Sequence, residues 1–218
     1  PNWDMQPVIT QTQDGKIWVV WSSNRIGAGE NYEIFYKTFN GTAWSIDYRL
    51  TTDTQKFDME PTIFQTSNGT IWIIWSARGF QPNDTNDLYF KTSDDNGATW
   101  SNTIQLTTDP RDDKWPSAME THDRSIWIIW GSNRGTDGNW ELWGKVTLKG
   151  DVNNDGYIDT LDMAYIARAL GTNPTWPHWN GTGTPGWDQW NPNCDLDNNG
   201  KVDLLDLATA GSNYGKYS

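Results

Sequence analysis

Ile17-Trp18-Val19-Val20-Trp21 returns as Ile71-Trp72-Ile73-Ile74-Trp75 and again as Ile126-Trp127-Ile128-Ile129-Trp130, at steps of about 54 residues. Neighbouring features keep the step. Pro7, Pro61 and Pro116 each precede a run that reads as a strand. Ile34-Phe35-Tyr36-Lys37-Thr38 matches Leu88-Tyr89-Phe90-Lys91-Thr92, with Leu142-Trp143-Gly144-Lys145-Val146 as a looser third copy. Five consecutive apolar residues suit a strand covered on both faces, and the Asp14-Gly15, Asn40-Gly41, Asn68-Gly69 and Asn96-Gly97 pairs are turn signals between strands. The pattern predicts four strands per unit, at 5–13, 16–23, 32–39 and 43–50, then at 59–67, 70–77, 87–93 and 98–107. A third unit has strands near 115–121, 125–132 and 140–148 and lacks the fourth.

Composition agrees. Sixteen tryptophans in 218 residues point to aromatic-filled β layers and away from a helical bundle. A net charge of −12 argues against nucleic acid or an anionic membrane as partner, and no run approaches the ~20 apolar residues of a membrane span. One cysteine, Cys194, excludes an internal disulfide framework. The chain opens on Pro1 without Met, and we expect it to be cut from something longer.

Four-stranded units of this length with aromatic signatures resemble β-propeller blades. Ser93-Asp94-Asp95-Asn96-Gly97-Ala98-Thr99-Trp100 fits the S-x-D-x-G-x-T-W turn of the Asp-box (BNR) repeat, so residues 1–149 resemble a sialidase-like propeller, about two and three-quarter blades of one. Asn40-Gly41-Thr42-Ala43-Trp44 looks like a decayed copy of that turn. The resemblance places the Asp-box on the face away from the active site. It also implies a role for Arg25, Arg78 and Arg134, which follow the Ile-Trp-x-x-Trp strands, as candidate ligands for an anion such as a sugar carboxylate. The alternative is that each arginine pairs with a repeated acid such as Asp58, Glu60, Asp112 or Asp113. No catalytic set is assembled: Tyr32, Glu33, Tyr36 and Asp87 have no fixed geometry, and Arg25-Ile26-Gly27 departs from the family's Arg-Ile-Pro. If the intact protein is an enzyme, the resemblance implies a glycoside hydrolase. The open edge after Val146 invites a partner or self-association.

At Gly150 the composition changes. Asp151, Asn153, Asp155, Tyr157 (through its carbonyl), Asp159 and Asp162 stand at positions 1, 3, 5, 7, 9 and 12 of a loop with Gly156 at position 6. Asp195, Asp197, Asn199, Lys201 (carbonyl), Asp203 and Asp206 repeat those roles around Gly200. Oxygen donors at that spacing suit calcium, a hard cation that takes six to eight oxygens, so two ions are expected. Ile158 and Val202 at position 8 are expected to pair across the loops. Helices are predicted from Asp159 to Leu170 and from Asp203 to Asn213.

A loop followed by a single helix, ending in Asp and present twice, resembles a dockerin over residues 150–218, in the archaeal or non-cellulosomal style. The resemblance implies a cohesin-like partner, with Thr160, Leu161, Leu204 and Leu205 at loop positions 10 and 11 as candidate contacts, and an extracellular or cell-surface setting. A propeller presenting a carbohydrate- or protein-binding surface, with a glycan at its mouth, would be the cargo. The Trp-rich insertion 172–193 is expected to pack over the helices, and Cys194 to be a buried filler.

Overall fold

The computed structural model describes residues 2–26, 31–53, 55–81, 83–122, 124–135, 137–147, 152, 158, 160–173, 194–196 and 200–215. It divides into two compact units, Pro1–Glu120 with Trp127–Gly144, and Thr121–Ile126 with Lys145–Ser218.

The first unit is built from three sheets in an incomplete β-propeller arrangement. Strands β1 (Asp4–Gln11), β2 (Ile17–Ser23), β3 (Glu33–Phe39) and β4 (Tyr48–Arg49) lie side by side in chain order. Strands β5 (Lys56–Gln65), β6 (Ile71–Gly79), β7 (Asn86–Ser93) and β8 (Ile104–Gln105) repeat that order. Strands β9 (Asp113–Glu120), β10 (Ile126–Ser132) and β11 (Glu141–Thr147) form a third sheet of three. The apolar pentamers are the second strands, as their pattern requires.

The outer strands are shorter than expected. In place of 43–50 and 98–107, β4 and β8 hold two residues each, because turn chemistry takes the start of each segment. Asn40 Oδ1 accepts the N–H groups of Thr42 and Ala43 at 3.0 and 2.9 Å, leaving only a bridge between Phe39 and Trp44. Asp95 plays the same part in the second sheet, accepting from Ser93 Oγ at 2.8 Å, Thr99 N at 2.8 Å and Thr99 Oγ1 at 2.5 Å. These donors hold its carboxyl well below the usual range, at about 2.

Pro7 and Pro61 lie inside β1 and β5, as the expected strands 5–13 and 59–67 place them, at bulges between Met5 and Val8 and between Met59 and Thr62. A bulge tolerates proline, which has no N–H for the ladder. The residue before each proline takes positive φ: Gln6 at 53°, Glu60 at 58° and Trp115 at 57°. These kinks join the sheets, since Glu60 N–H donates to Gln6 Oε1 (3.0 Å) and Trp115 N–H to Glu60 Oε2 (3.3 Å).

The core lies between the first two sheets. Trp18, Val20, Ile34, Tyr36 and Leu50 of the first face Ile63, Ile71, Ile73, Trp75 and Ala77 of the second. Trp100 does not stay beneath its own turn. It crosses to the first sheet, its ring 5.6 Å from that of Tyr36 and its indole N–H donating to Tyr36 Oη at 3.2 Å. Gly97, at φ 83°, passes so near Trp18 that a Cβ would sit 2.3 Å from the indole, so no other residue fits without displacement.

Trp18 is 1% exposed, whereas Trp44 is 49% exposed. Trp18→Ala is therefore expected to lower stability by about 3–5 kcal/mol, and Trp44→Ala by no more than about 1 kcal/mol, as read by denaturant unfolding.

Candidate functional site

The second unit carries two helices, α1 (Thr160–Ala169) and α2 (Leu204–Asn213), each preceded in sequence by an acidic segment. Asp203 caps α2, accepting the Leu205 N–H at 2.8 Å, while Asp206 Oδ2 accepts the Asp203 N–H at 2.8 Å, the reciprocal arrangement that satisfies a helix start.

The position-12 acids hold the same place in both loops. Asp162 Oδ1 accepts the N–H of Val152 at 2.7 Å, and Asp206 Oδ1 accepts that of Leu196 at 2.6 Å, each bond reaching back to loop position 2. Both aspartates are fully buried, beside a core of Val152, Ile166, Ala169, Cys194, Leu196, Val202 and Ala210. Asp195, at position 1 of the second loop, is 6% exposed and accepts the Gly200 N–H at 2.9 Å. Gly200 takes φ 83° at position 6, where the chain turns sharply. Lys201 is exposed and Asp203 half-buried. Asp151, Asn153, Asp155, Tyr157, Asp159, Asp197 and Asn199 lie outside the described residues, as does 174–193 with its tryptophans. Burial pushes the Cys194 thiol up to about 12, aided by the charges of Asp206 and Asp162, as befits a packing residue.

Both position-8 residues are fully buried, but their backbone bonds run to the opposite repeat's helix end. Gly171 N–H donates to Val202 O (2.7 Å), Val202 N–H to Thr172 O (3.1 Å), and Gly215 N–H to Ile158 O (2.8 Å). The expected pairing of Ile158 with Val202 thus gives way to an exchange in which each helix, turned by a glycine at φ 85° or 82°, closes on the other loop.

Outside this core the loop ends are apolar and open. Thr160 is exposed, Leu161 is 46%, Leu204 73% and Leu205 58% exposed. Leu204 also borders a hollow of about 460 Å³ lined by Leu170, Gly171, Asn173, Lys201, Val202 and Asp203. Leu170 and Lys201 were not legible as surface residues of one groove, because it forms only where the end of α1 meets the start of α2.

On the blades, two of the three arginines hold acids. Arg25 pairs with Asp4 at 2.6 Å and with Asp47 and lies over Trp21 and Phe35. Arg134 pairs with Asp113 at 2.8 Å and lies over Trp130 and Trp143. Of the acids named from sequence, only Asp113 takes this part. Arg78 is exposed and lies over Phe57. It stands one residue early, since β6 continues to Gly79, where a side chain would strike the Asp84 carboxylate at 2.1 Å.

Asp58, the counterpart of Asp4 and Asp113, therefore has no arginine. It is 2% exposed, takes the Trp75 indole N–H on Oδ1 at 2.9 Å, and has no partner for Oδ2 among the described residues. It lines a cavity of about 390 Å³ with Thr51, Asp53, Lys56, Tyr89, Lys91 and Gln105. Burial, with Glu33 and Asp53 adding repulsion, lifts its carboxyl to about 7. Glu33 is buried against Arg49 and Thr51, and Tyr36 is buried in the inter-sheet core.

Residues 149–210 match the dockerin type I domain. The match supports a protein–protein docking module in this unit. The blades are similar in fold to a Hadza microbial sialidase, with 18% identity over 66% of this chain and 35% of that one at a TM-score of 0.55. They are also similar to a protein of unknown function from Dyadobacter fermentans (12% identity, 66% and 50% covered, TM-score 0.53). An endo-arabinase from Bacteroides thetaiotaomicron shares the fold at 11% identity, with 66% and 56% covered and a TM-score of 0.50. The chain thus spans between about a third and just over half of these structures. No curated protein sequence matches it.

The raised Asp58 pKa has a signed consequence. The folded protein keeps this proton to about pH 7 while the unfolded chain releases it near the ordinary 3.8, so the associated stability is present below about pH 4 and lost as pH rises toward 7. Each pH unit in that window costs up to about 1.4 kcal/mol. Asp58→Asn, which keeps an oxygen for Trp75, is expected to flatten the fall in Tm between pH 5 and 8; an unchanged slope counts against a neutral Asp58.

Proposed function

We propose that the second unit is a calcium-dependent docking module that binds a cohesin-like domain and tethers the blade unit outside the cell or at its surface. The observation that carries this reading is the matched burial of Asp162 and Asp206, each held by the N–H at position 2 of its loop. Hard oxygen donors on a fixed spacing fit calcium, and the described donors Asp162, Asp195, Asp203, Asp206 and the Lys201 carbonyl belong to that set. Asp151, Asn153, Asp155, Tyr157 and Asp159 complete one loop, and Asp197 and Asn199 the other. Calcium supplies the positive charge that lets these carboxylates share a small space, which links binding to folding.

The protein's own contribution is orientation. The N–H of Val152 or Leu196 fixes one oxygen of each position-12 carboxylate, and the glycine-turned helix ends hold the two loops as one body. Thr160, Leu161, Leu204 and Leu205 then stand on the outer surface as the contact for the cohesin-like partner. Exposed leucines at a helix start favour burial by a partner. Leu204 is the most exposed of them and the one that borders the groove.

A second reading makes the blade unit part of a glycoside hydrolase, supported by the fold it shares with a sialidase and an endo-arabinase. Arg25 and Arg134 would be its anion-binding residues, and a ligand there competes with Asp4 and Asp113 for them. Turnover of an aryl sialoside or arabinoside by this chain, abolished by Arg25→Ala or Arg134→Ala, favours that reading over pure display.

Calorimetric titration of the full chain with calcium is expected to show two sites, with one lost in Asp162→Ala and the other in Asp206→Ala. Binding to a type I cohesin should vanish in chelator. Leu204→Glu with Leu205→Glu should weaken it by at least ~10-fold with both calcium sites kept. Binding that is indifferent to calcium contradicts the proposal.

A further inference from the structure

The second strands of the three sheets run on as Trp21-Ser22-Ser23-Asn24-Arg25, Trp75-Ser76-Ala77-Arg78-Gly79 and Trp130-Gly131-Ser132-Asn133-Arg134. The first and third place a serine two residues before an arginine, where the second has Ala77 and Gly79. The serine steers the arginine: Arg25 Nε donates to Ser23 Oγ at 3.0 Å, and Arg134 Nε to Ser132 Oγ at 2.9 Å. Each guanidinium then lies over one ring from the second strand and one from the third. Arg25 is 5.5 and 5.1 Å from the rings of Trp21 and Phe35, and Arg134 is 5.7 and 4.5 Å from those of Trp130 and Trp143. The acid of the first strand completes the niche, Asp4 at 2.6 Å and Asp113 at 2.8 Å. Ring faces and a carboxylate around one planar cation suit a guanidinium better than an ammonium.

The second sheet keeps the niche and lacks its arginine. Asp58 is the acid, opposite Ala77 in the ladder as Asp4 is opposite Ser23. Trp75 and Tyr89 are the rings, paired across their strands as Trp21 and Phe35 are. All three line the cavity of about 390 Å³. Asp58 is 2% exposed there, and its Oδ2 has no hydrogen-bond partner among the described residues. Thr51, which lines the same cavity, gives its hydroxyl proton to Glu33 Oε2 at 2.6 Å. Lys56 Nζ lies over the Tyr89 ring at 3.9 Å, so the niche still draws a cation, yet this ammonium leaves Oδ2 unbonded. Lys91 donates to Ser101 O at 3.1 Å. Lys37, at the same register of the first sheet, pairs with Asp47 beside Arg25, so a lysine at this place coexists with a bound guanidinium.

We propose that the cavity at Asp58 is a binding site for a guanidinium group carried by another molecule, held by Asp58 beside Trp75 and Tyr89 as Arg25 and Arg134 are held in the other two sheets. The cavity has the size of a small-molecule site, with room for an arginine-sized ligand beyond the guanidinium itself. Free arginine-like compounds and the arginine side chain of a peptide share this chemistry. Pairing requires an ionised Asp58, so the incoming cation displaces the proton that burial otherwise retains. The charged groups around it are Asp53 and Asp87, Glu33 with its partner Arg49, and Lys56 and Lys91. With Asp58 ionised, the acids Asp53, Asp58 and Asp87 outnumber the two lysines, which favours a cation over an anion as guest.

Calorimetric titration of the full chain with methylguanidinium tests the site, with methylammonium and sulfate as controls. Saturable 1:1 binding of methylguanidinium is expected, with methylammonium weaker and sulfate inert. The affinity should rise with pH by up to about 10-fold per unit between pH 5 and 7, as Asp58 gives up its proton. Asp58→Asn keeps the bond to Trp75 and should weaken binding by at least ~10-fold while removing the pH dependence. Tyr89 is half-buried, and Tyr89→Leu should weaken binding with the fold kept, which circular dichroism checks for both variants. Titrations with arginine amide and with an arginine-containing tripeptide then separate the two sources, the tighter of them marking whether a free compound or a peptide is the guest. No saturable binding of methylguanidinium, binding that is unchanged in Asp58→Asn, or a preference for sulfate overturns the proposal.

Discussion

A blade of this protein is a sheet with two apolar faces, and neither can be left to water. That constraint explains most of the first unit. The Ile-Trp-x-x-Trp strands are continuously apolar because alternate residues face different neighbours, Trp18 and Val20 one way, Ile71, Ile73 and Trp75 the other. It also explains why Trp100 crosses to the adjacent sheet. The aromatic that closes one blade's turn is the wall of the gap between two blades, and Tyr36 accepts its indole N–H there. Gly97 allows that approach, so a residue chosen for its turn conformation also sets the spacing between layers.

The second unit solves a different problem with little core. Among the described residues, seven small or medium buried residues form its core, and three carboxylates, Asp162, Asp195 and Asp206, are buried alongside them. Buried carboxylates are costly unless hydrogen-bonded and charge-compensated. The N–H groups of Val152 and Leu196 meet the first need, and the calcium proposed for the loops meets the second. The exchange of helix ends, with Gly171 closing on Val202 and Gly215 on Ile158, makes each loop depend on the other repeat. One loop alone would lack that closure, which is a physical reason for the motif's occurring twice.

What could be read in the sequence was what repeats at fixed spacing. The three blade sheets and both helices followed from period and composition. What could not be read depended on offsets that only tertiary contacts reveal. The outer strands shrank because Asn40 and Asp95 spent their turns on side-chain bonds. Pro7 and Pro61 marked bulges inside strands, and the positive φ of Gln6 and Glu60 follows from those bulges. Arg78 looked like a third member of an arginine set, yet it comes one residue early, inside a strand two residues longer than its counterparts, and Asp58 is left without an arginine. Position 8 of the loops looked self-pairing because the glycines that intercept it lie 13 residues further along in each repeat.

In the proposed reading, calcium orders the loop-helix unit as a docking body while the blades stand on their own packing. Amide hydrogen exchange on the full chain, with calcium and with chelator, tests it most directly. Chelation is expected to remove protection at Val152, Gly171, Leu196, Val202 and Gly215 and to leave the amides of β2 and β6 unchanged. Protection of those five amides that is indifferent to calcium would contradict it.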